Sequence, residues 1–93
     1  MSLDTTSATI DACNNQGNNC GYAVVRATLT NPAAGATVSA TNVPSNLTVW
    51  LYNSSDGVFT FVIIAKNNTR TTNSVVFTGL NCGVPQNVTV TTK

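Results

Sequence analysis

Along most of the chain apolar and polar residues alternate one by one, and nowhere do apolar residues recur at the spacing of an amphipathic helix. Alternation sends successive side chains to opposite faces of an extended strand, so it predicts strands with one buried and one solvated face. Seven such stretches stand out: Thr6–Ala12, Tyr22–Thr30, Ala36–Val43, Leu47–Tyr52, Val58–Lys66, Ser74–Leu80 and Asn87–Thr92. Between them lie segments rich in Asn, Ser, Gly and Pro, at 14–19, 31–35, 44–45, 54–57, 67–73 and 82–85. These residue types favour turns. Seven short strands at this rhythm predict an all-β chain folded as a single antiparallel β-sandwich.

The fourth and fifth strands make the clearest hairpin. A five-residue connection, Asn53 to Gly57, sets Tyr52 opposite Val58, Trp50 opposite Thr60 and Thr48 opposite Val62. The same register sets Leu51 opposite Phe59, Val49 opposite Phe61 and Leu47 opposite Ile63. That second set is wholly apolar and is assigned to the core. Ala23, Val25, Ala27 and Leu29, then Val38 and Ala40, then Val88 and Val90 continue it on other strands.

The run Asp56-Gly-Val-Phe-Thr-Phe-Val-Ile-Ile-Ala-Lys-Asn67 resembles the G-x-Y-x-F-x-V-x-A-x-N strand of bacterial immunoglobulin-like and fibronectin type III-like surface modules. Gly57, Phe59, Phe61, Ile63, Ala65 and Asn67 fall on the matching positions, and the resemblance covers about a dozen residues. It implies a seven-stranded immunoglobulin/fibronectin III-like sandwich that serves as a spacer, an adhesion unit or an accessory binding domain. The antibody pattern is absent. Trp50 lies between Cys20 and Cys82, but Leu80 stands where a Tyr would precede the second Cys.

Composition narrows the function classes. Only 8% of residues are charged, against about 25% in ordinary soluble domains, and Thr, Ser and Asn take their place. Such neutral hydrogen-bonding surfaces suit extracellular β proteins. Arg26, Lys66, Arg70 and Lys93 are scattered, so no basic stripe exists to neutralise phosphates, and nucleic acid is not an expected partner. The best apolar run, Val58 to Ala65, is too short for a helical membrane span. Met1-Ser2-Leu3 followed by a polar run reads as the start of a module excised from a larger secreted or surface protein.

Catalytic chemistry has little to draw on. There is no histidine, and the three carboxylates are Asp4, Asp11 and Asp56. A Ser, Thr or Cys nucleophile would lack its base, so no enzyme, catalytic residue or cofactor is expected. Three cysteines without histidine or a CxxC step do not make a zinc site, and no carboxylate cluster suits calcium. The cysteines read instead as structure. Cys13 and Cys20 bracket Asn-Asn-Gln-Gly-Asn-Asn, a loop that a disulfide would staple, which leaves Cys82 without a partner in this chain. An oxidising compartment follows from such a bridge, hence an extracellular or cell-surface location.

Sequons occur at Asn46, Asn53, Asn67 and Asn87, a number that thirteen Asn in a Thr- and Ser-rich chain produce by chance; they indicate surface at most. Thr-x-Thr steps, as at Thr89/Thr91, reflect the strand preference of Thr rather than an ordered array.

The outward face of the hairpin is the most suggestive feature. With Leu47, Val49 and Leu51 inside, Thr48, Trp50 and Tyr52 point the other way, beside Val58, Thr60, Val62 and Ile64. A solvated face normally turns polar, so something is expected to cover this one. Three readings fit: packing under a loop or neighbouring domain, contact with another protein surface including self-association, or a sugar-binding platform of Trp50 and Tyr52 flanked by Thr48 and Thr60. The expectation is a non-catalytic extracellular structural or adhesion module, with a carbohydrate-binding module as the alternative.

Overall fold

A computed structural model describes residues 1–30, 35–79 and 85–93. Leu80, Cys82 and most of the predicted joints at 31–35 and 82–85 lie outside them. Among the described residues are eight strands: β1 (Ser2–Leu3), β2 (Ser7–Ile10), β3 (Tyr22–Thr28), β4 (Val38–Thr41), β5 (Leu47–Ser55), β6 (Val58–Ala65), β7 (Thr72–Gly79) and β8 (Gln86–Thr92). They form two four-stranded sheets, one ordered β1-β3-β6-β5 and the other β2-β8-β7-β4.

Two expectations are corrected here. The strands number eight rather than seven, and the second sheet is mixed, because β2 runs parallel to β8. The cause lies at Asp4. Its amide donates to the Arg26 carbonyl (3.1 Å), and its carboxylate accepts the Arg26 amide (2.8 Å), which ends the pairing of β1 with β3. The chain then crosses to the second sheet, where Thr6 and β2 lie along β8. The predicted first strand is thus the second half of a strand shared between sheets.

The core lies between the sheets. On β6 Phe59, Phe61, Ile63 and Ala65 are buried, and Val75, Phe77, Val88 and Val90 meet them from the second sheet. Phe61 and Phe77 touch edge to face across this seam, their ring centroids 4.9 Å apart, a geometry that aligns positive ring edge with negative ring face. Val25, Ala27, Leu29, Val38 and Leu47 are buried as expected, with Ala23, Ala40 and Val49 packed at the margin. Leu51 is not buried. It points inward by alternation, but β5 is an edge strand and β4, which meets it from the second sheet, is only four residues long.

The β5–β6 hairpin differs from expectation in its turn. The connection is the two-residue Asp56-Gly57, with φ of 52° and 78°, the left-handed pair a type I′ turn requires. That turn alone would set Leu51 opposite Val62, an outward residue. One extra residue on β5 between Leu51 and Asn53 restores the parity, so Leu51 meets Phe61, Val49 meets Ile63 and Leu47 meets Ala65. Five of the six predicted pairs are therefore displaced by two residues on β6, which leaves each of those side chains on its predicted face, while Tyr52 is the bulge residue and pairs with none.

Cys13 and Cys20 form a disulfide. Because β2 and β3 belong to different sheets, the bridge ties the two layers together at one end. Its loop is ordered by Asn14, whose Oδ1 accepts the amides of Gln16 (3.0 Å) and Asn18 (2.9 Å). Immediately after it, Gly21 donates to the Asp11 carbonyl, and a Cβ at Gly21 would stand 2.5 Å from the Asp11 nitrogen. Only glycine fits that approach. At the same end Thr92 is buried but satisfied: its hydroxyl donates to the Thr69 carbonyl (2.9 Å) and accepts the Thr71 amide (3.0 Å).

Candidate functional site

The register of the first sheet assembles its outer face row by row. Tyr22 of β3, Ile64 of β6 and Thr48 of β5 form one row; Val24, Val62 and Trp50 form the next. Arg26, Thr60 and Asn53 form the third, with Tyr52 held out at the bulge beside them. Tyr22 is 68% exposed, Tyr52 66% and Trp50 44%, while Val24, Val62 and Ile64 are half-buried between them. An aliphatic centre with an aromatic margin thus faces solvent on one side of the molecule. It is an unusual face for an outward one.

Of the predicted site residues, Thr48, Trp50 and Tyr52 stand on this face, and Thr60 shares it but lies opposite Asn53 and Arg26 rather than opposite Trp50. The Trp50 and Tyr52 rings are 5.8 Å apart with their planes at 60°, edge to face, so together they make no single flat platform. Tyr22 and Val24 were not anticipated. Their place follows from the β3–β6 pairing, which joins segments far apart in the chain, and no local pattern announces it. Leu51, on the opposite side of β5, adds to Trp50 and Tyr52 a third exposed apolar side chain (44% exposed) along the same edge strand.

The outer face of the second sheet is different in kind. Thr9, Thr91 and Thr72 form one row, Ser7, Thr89 and Ser74 the next, and Thr41, Val76 and Asn87 a third. It carries hydroxyls where the first sheet carries rings, and the Thr72 and Thr91 hydroxyls lie 3.3 Å apart.

Other candidate features are modest. An open groove of about 540 Å³ beside the disulfide is lined by Asp11, Asn19, Tyr22 and Lys93 among others, with no buried polar group aimed into it. No three of Cys, Asp, Glu or His gather among the described residues. The salt bridge between Arg26 and Asp4 (3.7 Å) is exposed at both ends, so it contributes little. Of the sequons, Asn53, Asn67 and Asn87 are exposed, but Asn46 is 5% exposed and its Nδ2 has no partner among the described residues. That sequon does not read as surface, because Asn46 sits at the entry to β5, where its carbonyl accepts the Lys66 amide and its side chain turns inward.

No helix among the described residues is long and apolar enough to cross a membrane. Neither a protein-family model, nor a curated protein, nor a solved structure matches the chain.

Proposed function

We propose that this chain is a non-catalytic, extracellular structural or adhesion module of a secreted or surface protein, and that its contact surface is the outer face of the β1-β3-β6-β5 sheet. The observation that carries the reading is the uncovered row structure of Tyr22, Val24, Trp50, Tyr52, Val62 and Ile64. An apolar centre ringed by aromatic and polar residues is the anatomy of a protein contact, where aromatics supply most of the binding energy. The partner is another protein surface or a neighbouring domain.

The strand order supports an immunoglobulin-like architecture. Such a sandwich carries strands A, B, E and D in one sheet and C, F and G in the other. Lettering β1, β3, β6 and β5 as the first set and β4, β7 and β8 as the second reproduces that order, with β2 a detached half of strand A. Two antibody hallmarks are missing: Trp50 stands on an outer face, and the disulfide joins the ends of β2 and β3. The disulfide and the sparse charge support an oxidising, extracellular setting.

A second reading, carbohydrate binding, rests on the half-exposed Trp50 ring with Thr48, Thr60 and Asn53 nearby. The edge-to-face rings and the aliphatic centre argue for the protein contact over it. Trp50 is the sole tryptophan, so its emission tests the choice. Titration with a panel of soluble polysaccharides is expected to leave the emission unchanged. A saturable shift that Tyr52→Ala abolishes would transfer the function to glycan recognition.

A further inference from the structure

The edges of the two sheets are unequally protected. β1 is two residues long, β2 and β4 are four each, and the stretch of β3 left free by β1, Tyr22 to Arg26, ends at a charged residue that Asp4 already engages. β5 runs nine residues along an edge that no other strand among the described residues covers. Natural edge strands carry Lys, Pro or inward-pointing charges that deter further pairing. Leu47 to Ser55 contains none of these, and its single irregularity, the bulge, leaves the stretch up to Leu51 in regular register.

The backbone groups on that edge can be identified. The Lys66 amide donates to the Asn46 carbonyl (2.9 Å), while the Leu47 amide turns away from β6 to the Pro44 carbonyl (3.1 Å). In an antiparallel ladder the direction alternates every residue, so Val49 and Leu51 also direct their N–H groups away from β6, to the open side.

We propose that β5 pairs antiparallel with β5 of a second copy of this chain, joining two first sheets into one eight-stranded sheet. The contact goes beyond the reading above, since its hydrogen bonds are made by the backbone of β5, while it also draws on Trp50 and Tyr52 at the margin of the outer face. Val49 of each copy exchanges hydrogen bonds with Leu51 of the other about a two-fold axis at Trp50, an isologous arrangement that needs no second surface. The two Trp50 rings then flank each other on one face, and on the opposite face each Leu51 stands beside Val49 of the other copy. A self-pairing strand must not repel its copy, and this one is uncharged on a chain of net charge +1. Covering the exposed parts of Trp50, Leu51 and Tyr52 on both copies, with the edge backbone, buries roughly 1,000 Å², the lower limit for a specific interface. The pair therefore forms and dissociates with concentration rather than permanently.

Sedimentation and amide hydrogen exchange of the intact chain over about a hundredfold range of concentration test this, the range bracketing a weak interface of this size. The mass is expected to rise from 9.7 kDa toward twice that value. The Val49 and Leu51 amides are expected to gain protection in step with it. Leu51→Lys, at an exposed position, is expected to weaken association at least tenfold, whereas Thr89→Lys on the opposite sheet, with the same added charge, leaves it unchanged. A mass that stays at the monomer value overturns the proposal. So does a dimer in which Val49 and Leu51 exchange as fast as at high dilution, the outcome expected of face-to-face stacking. The polysaccharide titration, read at high dilution where the monomer prevails, tests the outer face separately.

Discussion

The two outer faces of the molecule arise from the same alternation and end in opposite chemistry. On the β2-β8-β7-β4 sheet the outward positions are Thr, Ser and Asn with one Val, mostly groups able to hydrogen-bond with water or with one another. On the β1-β3-β6-β5 sheet Tyr22, Val24, Trp50, Val62 and Ile64 stand among Thr48, Arg26, Thr60 and Asn53. Both sheets bury the same kind of inner face, so stability does not require the difference. Retaining large apolar side chains in water costs solubility, and the sheet with short edges and hydroxyls shows that the chain can do without them. The face with rings is therefore the one read as the contact surface.

The largest effect expected within this comparison separates two neighbours on β6. Ile63 is wholly buried and Ile64 is outward. Ile63→Ala is expected to lower the unfolding free energy by about 2–5 kcal/mol, through lost transfer energy and a residual cavity. Ile64→Ala should cost about 1 kcal/mol or less. Chemical denaturation of both variants checks the difference, and equal losses would mean that the outer face is packed in the isolated chain.

The disulfide comes next, because it links the sheets at one end, beside Tyr22 and Thr9 but not beside Trp50. Cys13→Ala/Cys20→Ala is expected to cost about 2–3 kcal/mol by the loop-closure argument. The native emission of Trp50 should stay the same, since the ring sits on β5 away from the bridge. A shifted native emission would show that the bridge shapes the aromatic face. The smallest effect belongs to the hydroxyl face: Thr89→Ala is expected to change stability by no more than about 0.5 kcal/mol in the same denaturation measurement. A loss comparable to that of Ile63→Ala would mean the two faces are not inner-equivalent scaffolds with different coats.

The strands and their inward sides were legible in the sequence because burial is written at the two-residue period. Leu47 and Val49 opposite the Phe61–Ala65 stretch follow from alternation alone, and an even slip of the hairpin does not disturb it. What alternation does not carry is the neighbour. Tyr22 joins the Trp50 face only because β3 lies beside β6, a pairing closed over some forty residues of chain. The Asp56-Gly57 turn was readable, as Asp-Gly is among the strongest hairpin signals. Its register was not, because the bulge at Tyr52 compensates for it in a way no composition reveals. Leu51 fails for a different reason: its inward direction is right, but the opposing sheet ends before it. The crossing at Asp4 is likewise a matter of one side chain capping a strand, below the resolution of any periodic pattern.

The central claim is that the β1-β3-β6-β5 sheet presents the contact surface and the other sheet does not. A residue-by-residue NMR shift map during titration with phenol, a small aromatic probe of exposed apolar surface, tests it most directly. Shifts are expected to gather at Tyr22, Val24, Trp50, Tyr52, Val62 and Ile64, with Thr9, Thr72, Thr89 and Thr91 unmoved. Shifts spread evenly over both sheets, or gathered on the threonine face, would contradict it.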